Sequence, residues 1–525
     1  MRTSAGTTEA GLSATEDAAA AARWGWDRYD ALIIAAAVVA TLFVHPISAM
    51  LQHPYWFDEA WVADLTRVPW SRLVGFSSVA PVGFVVLLKF VPGAGLQRGR
   101  LVVLSFSAAS AAMAYVLVRT CSWTSASRAR FAGTLAALVT MLAPFSLARN
   151  DLKQYTCDAF CALLIFTVAV RVDRASQPTP VWWLAVVSLA SVPFSSTAAF
   201  VSAAAFAGLL GSAALTRSRR RFVELLVTGG ATGVLLVTYL AVVVLPNDNA
   251  DIRNYWIPFY LRGLPWTMLH DGWTRLSALH NWLAMPTIVF VALFVAGLAN
   301  LARLRERALV LAVPMLWFEM AVLARLRRYP FLDRRTSHFL LVASIVVVAI
   351  GAAGLLEVVY RRWRVVGVAI GIGLAAGFAV RFAPHVNGLQ LPSEDVRAPT
   401  VYVAEHRTSH DVILVSRSAS YGFSFYWPHG RLVAAGIDTG QGFLPSVAGL
   451  DAIYTTGATD DAVLAGLRQA VARWRAAGPA NRLFIVRSHE SGGEEVAWDR
   501  AFAALDLHPR ELAVGPERLL VVGPS

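Results

Sequence analysis

Charge is scarce in this chain, and lysine scarcer still. Only 15% of its 525 residues are charged, where soluble globular domains carry about 25%, so an ordinary soluble protein is excluded along most of the length. The sole lysines are Lys89 and Lys153, and nearly all of the basic surplus behind a net charge of +12 is arginine. The three cysteines, Cys121, Cys157 and Cys161, have neither the number nor the spacing of a disulfide framework or a zinc site. Walker and dinucleotide glycine motifs are absent, as is HExxH, so a nucleotide-driven enzyme or a zinc protease lacks its motif. There is no internal repeat of the kind that secondary transporters show. Residues 1–28 are small, polar and alanine-rich, without the ordered regions of a signal peptide, and read as a disordered cytoplasmic tail.

What the chain has is apolar length. Hydrophobic residues make up 56% of it, and the mean hydropathy is +0.54. A membrane span needs roughly 20 apolar residues. Runs near 31–50, 101–119, 131–148, 156–171, 180–194, 197–214, 223–245, 282–302, 308–325, 337–358 and 364–382 predict an α-helical polytopic membrane protein with about 11 transmembrane helices. Pro81 to Pro92 is too short to cross and carries Lys89; it predicts a helix lying in the interface. With that assignment the arginines at 128 and 130, 171 and 174, 217–221, 303–307 and 361–364 all fall in inner loops, as the positive-inside rule requires. The basic total therefore reports topology and no nucleic-acid partner. From about Leu391 the composition shifts to that of a soluble α/β domain. Val412–Ser416, Leu483–Val486 and Leu519–Val522 read as strands and Ala462–Ala477 as an amphipathic helix. Parity places this domain outside. The expected division is a tail over 1–28, a membrane domain over 29–385 with a large outer loop at 51–98, and an extracytoplasmic α/β domain over 391–525.

Chemistry concentrates on the outer side. His53-Pro54-Tyr55-Trp56-Phe57-Asp58-Glu59-Ala60-Trp61 sets two carboxylates among rings where the first span leaves the bilayer, and acids there are functional candidates. Asp58 at a helix start would also serve as a cap. A second element is Arg149-Asn150-Asp151-Leu152-Lys153-Gln154-Tyr155, running into Asp158, with Lys153 as the expected partner of Asp158. A third outer segment, Asn254-Tyr255-Trp256, reads as an interfacial anchor. Finally Arg325, Arg327, Arg328, Arg334 and Arg335 stand beside His338 on the side where topology does not call for them. Arginine forks match phosphate oxygens, so this cluster predicts an anion at the outer face.

The order of these parts resembles the GT-C membrane glycosyltransferases, in particular the branch holding protein O-mannosyltransferases and the lipid A aminoarabinose transferase. The order is one span, an outer Asp58-Glu59-Ala60, a proline-bracketed interfacial helix, a span with a short basic inner loop, and then Lys153-Gln154-Tyr155-Thr156-Cys157-Asp158. Ser78-Val79-Ala80-Pro81-Val82-Gly83-Phe84, Tyr329–Arg334 and Asp411–Ser416 resemble segments of bacterial members. The resemblance runs over about 60–380 and is densest over 51–95 and 149–162. It implies a polyprenyl-phosphate sugar as donor and an acceptor hydroxyl of an envelope glycan, lipid or protein, at the outer face of a bacterial plasma membrane. It implies Asp58 as catalytic base, with Glu59 beside it. Asp158, with Tyr155 and Gln154, would lie near the acceptor or donor sugar. Lys89 would meet the donor phosphate together with Lys153, Arg327, Arg328, Arg334, Arg335 and His338.

The residue types suit that reaction. A glycosyl phosphate has a good leaving group, so the need is a base for the acceptor proton and cations where charge grows on phosphate. Single displacement inverts the anomeric carbon. No tightly bound cofactor is expected; a divalent metal is not favoured, although Asp58 with Glu59 or Asp158 offers carboxylates. A transporter or flippase of lipid-linked sugars, a glycan ligase using a lipid pyrophosphate, and a non-catalytic envelope scaffold are the rival readings.

Overall fold

The computed structural model describes residues 26–76, 80–91, 97–174, 179–247, 250–428, 432–438, 442–490 and 493–524. Most of the tail expected over 1–28, and Ser78 with Val79, lie outside the described residues.

Each apolar run carries a helix, with ends set by proline and caps. The first, Arg28–Val44, opens on a capping box in which Asp27 accepts from the Tyr29 and Asp30 N–H groups. It stops ahead of Pro46, so the end of the run expected at 31–50 becomes a separate short helix, Ile47–Gln52. Pro144 likewise ends the helix Ala126–Leu142, and Pro286 starts Thr287–Arg303 later than hydropathy alone suggests. Among the described residues seven helices are long and apolar enough to cross a membrane: Arg100–Thr120, Tyr155–Asp173, Ala198–Leu215, Arg219–Val244, Arg307–Arg325, His338–Arg362 and Arg364–His385. Val181–Ser191 and Thr287–Arg303 are shorter apolar helices. Val82–Lys89 spans only 8 residues, about 12 Å at 1.5 Å per residue.

Tyr155–Asp173 and His338–Arg362 form the buried centre, whereas Arg364–His385 turns Val365, Ile372 and Val380 outward. A helix apolar on its outer face suits lipid contact. Small residues let backbones touch: a Cβ at Gly297 would collide with the Val347 carbonyl, and one at Gly351 with that of Leu293. Helix ends gather in two sets. At one end Arg119 pairs with Asp30, Arg128 with Glu357 and Arg130 with Asp27. At the other, His45 Nδ1 meets Asn150 Oδ1 at 2.9 Å and the Asn387 N–H donates to the Val44 carbonyl.

The C-terminal part is a five-stranded sheet in the order β4-β1-β5-β7-β6, with β1 (Val412–Val415) parallel to β4 (Ala452–Tyr454) and β5 (Leu483–Arg487). β7 (Arg518–Val522) runs antiparallel to β5 and to β6 (Arg510–Leu512). β1 and β5 are buried on both faces, as continuous apolar runs require. Leu414 and Ile485 face the helices Asp460–Ala477 and Glu494–Ala504, while Ile413 and Phe484 face Phe423 and Trp427. A hairpin, β2 (Leu432–Asp438) with β3 (Gly442–Val447), stands apart. Trp427 thus packs inside the sheet unit. Tyr421 and Phe425, from the helix Ala419–Tyr426, join the core of the helical part instead.

Candidate active site

The helix Phe57–Leu65 begins at Trp56, which has no capping side chain. Its first amides are satisfied from far along the chain: the Phe57 N–H donates to Glu394 Oε2 at 3.0 Å, and just ahead the Tyr55 N–H donates to Tyr426 Oη at 2.6 Å. Two acids occupy its first turn, where the helix dipole favours them, yet their surroundings differ. Glu59 is fully buried. Its carboxylate accepts from Arg100 Nε at 2.7 Å and from Arg100 Nη2, and Oε1 also accepts the Leu152 N–H at 2.6 Å. Arg100 further donates to the Met50, His53 and Pro54 carbonyls. Glu59 therefore sits in a closed knot.

Asp58 retains a fifth of its side-chain surface. Its Oδ2 accepts from Arg335 Nη1 at 3.0 Å, and its Oδ1 lies 3.8 Å from Lys153 Nζ. Arg335 is itself positioned. Its Nη2 donates to Tyr255 Oη at 2.9 Å, and its backbone N–H donates to Asp333 Oδ2, which also accepts from the Thr336 N–H. Burial disfavours charge on Arg335, but Tyr155, Asp58, Tyr255 and Asp333 outweigh it and hold its pKa above the ordinary value. Lys153 is buried, and burial pulls its pKa below the usual lysine range against the opposing pull of Asp58. Arg334 lies against the Trp282 ring, 3.9 Å from its centroid. Burial and then the neighbouring Arg149 bring Arg334 down to about 10. One carboxylate thus faces a crowd of cations.

The remaining predicted residues divide. Tyr155 lies within electrostatic reach of both Arg335 and Asp58. Asp158 is buried beside the hydroxyls of Ser195 and Thr197, and Tyr329 is within electrostatic reach of it and of Tyr155. The expected Lys153–Asp158 pair is not formed, because Lys153 precedes the helix and its ion pair is with Asp58. Gln154 has a buried, unpartnered Oε1, and His338 a buried, unpartnered Nδ1, edge-on to Phe145. Lys89 is placed elsewhere: its Nζ donates to the Thr66 and Val68 carbonyls at 2.7 and 2.6 Å, closing the C-terminal end of the Asp58 helix. Arg327 and Arg328 are exposed, and no contact ties their side chains to Asp58 among the described residues. Tyr255, expected only to anchor, holds Arg335.

Arg149 escaped the sequence reading, although it stands in the quoted element. It is 3% exposed, its Nε and Nη1 lack hydrogen-bond partners, and its nearest counter-charge is Asp151, 3.5 Å from Nη1. A buried guanidinium with unmet donors is costly, and a polar residue just before a span was the available signal. Among the described residues no three His, Cys, Asp or Glu side chains cluster as a metal centre would require.

The fold is shared with an archaeal oligosaccharyltransferase. The Archaeoglobus fulgidus enzyme in complex with Zn and sulfate superposes with a TM-score of 0.50 at 13% identity, over 75% of this chain and 61% of that one. AglB from the same organism, in complex with an inhibitory peptide and a dolichol-phosphate, gives 0.51 at 10% identity, over 76% and 64%. The chain spans under two thirds of the length of these structures. The likeness assigns the GT-C fold. No family model matches the sequence, and no curated protein does.

Proposed function

We propose that this chain is an integral membrane glycosyltransferase of the polyprenyl-phosphate-dependent branch. It would move a sugar to an acceptor hydroxyl at the extracytoplasmic face, with inversion and with Asp58 as general base. The observation that carries this reading is the partly exposed Asp58 carboxylate between Arg335 and Lys153. On this reading 29–385 is the catalytic membrane domain, about 11 helices cross, and 391–525 lies outside with the Asp58 end of the bundle. The arginine-rich loops at the Arg119 end then face the cytoplasm.

The cations that hold Asp58 are those a donor phosphate would take. Phosphate oxygens drawing Arg335 and Lys153 toward themselves leave the Asp58 carboxylate free to accept from the acceptor hydroxyl. As the acceptor oxygen bonds to the anomeric carbon, the hydroxyl proton passes to Asp58. The bond from that carbon to the phosphate oxygen breaks with its electron pair, and polyprenyl phosphate departs. Arg149 and Arg334 extend the cationic wall toward Asp151 and Asp333 and stabilise the growing charge. Glu59 acts as an anchor, Asp158 and Tyr155 border the sugar, and Lys89 secures the helix end. The donor set does not favour a divalent ion: Asp58 stands between cations, Glu59 is committed to Arg100 and Leu152, and Asp158 lies among hydroxyls.

Purified protein should release polyprenyl phosphate from a radiolabelled polyprenyl-phosphate sugar only when acceptor is present. Absence of turnover with every such donor, together with unchanged envelope glycans in an Asp58→Asn strain, would end the proposal. The oligosaccharyltransferase neighbours favour a second reading, transfer of a whole glycan from a lipid-linked donor. Turnover with lipid-pyrophosphate oligosaccharides alone would select it.

A further inference from the structure

The loop after β5 brings an imidazole to the foot of the Asp58 helix. His489 lies flat on the Phe57 ring, with centroids 4.5 Å apart and planes 10° from parallel, and its Nδ1 is 2.7 Å from Glu394 Oε1. The other oxygen of the same carboxylate accepts the Phe57 N–H. Glu394 is thus a cap borrowed from 337 residues away for a helix whose own N-cap residue, Trp56, supplies none. His489 adopts φ 51°, the left-handed region, which a non-glycine residue holds only where surrounding contacts enforce it.

We propose that Glu394 and His489 are positioning residues for Asp58: the charged imidazole holds Glu394 on the Phe57 amide and so fixes the first turn that carries the base. This rests on the transferase reading above. Without the imidazolium, Glu394 would crowd a turn that already holds Asp58 and Glu59, and like charges there repel. His489 faces Glu394 from the segment before the helix Arg397–His406, Asp58 from the catalytic helix, and Glu517 from the turn before β7. Glu494 is within electrostatic reach of His489 and of Glu490, which Arg487 and Arg518 hold. Burial lowers the pKa of His489, but Glu394, then Asp58 and Glu517, outweigh it and raise the value above the ordinary 6.5. For a raised pKa the stabilisation is complete below the ordinary value and is lost as pH climbs through the raised one. The clamp is therefore fully engaged below the ordinary imidazole value and slackens as pH climbs through the raised one.

The test uses the full-length protein in lipid nanodiscs. Hydrogen exchange of the 55–60 segment, corrected for intrinsic rate, should accelerate about tenfold across that His489 step in the wild type. In His489→Gln the step should vanish, and in Glu394→Gln the segment should exchange fast at every pH. With a polyprenyl-phosphate donor, kcat should fall over the same interval at unchanged donor KM, and His489→Gln should lose that limb while keeping any limb due to Lys153. His489→Asn provides a second variant should Gln fold poorly. Superimposable exchange and kcat profiles for wild type and both His489 variants would overturn the proposal. Absence of turnover with all donors would defeat the transferase reading instead, and the exchange arm would still decide whether Glu394 and His489 hold the helix.

Discussion

The two ends of the helical bundle treat arginine differently. At the end carrying Arg119, the buried cation meets its carboxylate closely. Arg119 Nε lies 2.9 Å from Asp30 Oδ1 inside the protein, and Arg128 and Arg361 share Glu357 at 2.9 and 2.7 Å. At the Asp58 end, outside the closed Glu59–Arg100 pair, the contacts are looser. Arg149 is 3.5 Å from Asp151, Lys153 is 3.8 Å from an Asp58 that Arg335 already holds, and Arg334 rests on an indole ring. Matched charges fix how helices sit together. Under-matched buried cations cost stability unless an anion completes them, and a cluster of them around one partly exposed carboxylate is what a binding site for a phosphorylated lipid would leave behind.

The contrast can be broken by substitution. Asp58→Asn should have the largest effect, lowering turnover by about 10²–10⁴-fold, the usual worth of a general base, while thermal unfolding in detergent stays near wild type. Next, Arg100→Met leaves Glu59 buried without its partner and should cost about 3–5 kcal/mol, read as loss of folded protein by size-exclusion and melting. Arg119→Met should destabilise in the same direction but less, because Asp30 keeps Tyr115 and Arg130, with unchanged donor KM in whatever protein folds. Arg149→Ala should reverse that pattern. Donor KM should rise by about tenfold or more, the worth of a charged hydrogen bond, with little loss of stability or a gain. Smallest of all, Arg327→Ala and Arg328→Ala should shift stability by less than about 0.5 kcal/mol and leave donor KM alone. A rise in KM from either would return those exposed arginines to the phosphate site.

The fold was largely legible because lipid imposes a simple rule on residue type. Apolar runs located the helices, and prolines 46, 144 and 286, whose backbone effect hydropathy ignores, account for the shifted ends. In the C-terminal part the apolar β1, β5 and β7 were readable. The short β4 and β6, the hairpin and the helix Ala419–Tyr426 carry too little periodicity to stand out. Within the site, residue types were readable and partnerships were not. Asp58 meets Arg335 across 277 positions, a pairing no local pattern encodes. Asp58 and Glu59 look alike in sequence, and only one of them meets Arg100. Lys153 and Asp158 looked like partners by proximity along the chain, until the helix turned Asp158 toward Ser195 and Thr197. Glu394 carries no signal in the sequence, because its contact is with an amide far upstream.

Lys153 and Arg335 meet the Asp58 carboxylate, and Glu394 and His489 hold Phe57 just before it. A ribosome therefore releases the acid long before its companions exist. During biosynthesis the closed knot of Glu59 and Arg100 forms from neighbouring stretches, but the turn that carries Asp58 gains its last holds only when nearly the whole polypeptide has been made. A nascent chain truncated before His489 would insert its helices with that turn still unclamped, and on the transferase reading such partly made copies would leave scarce lipid carriers untouched.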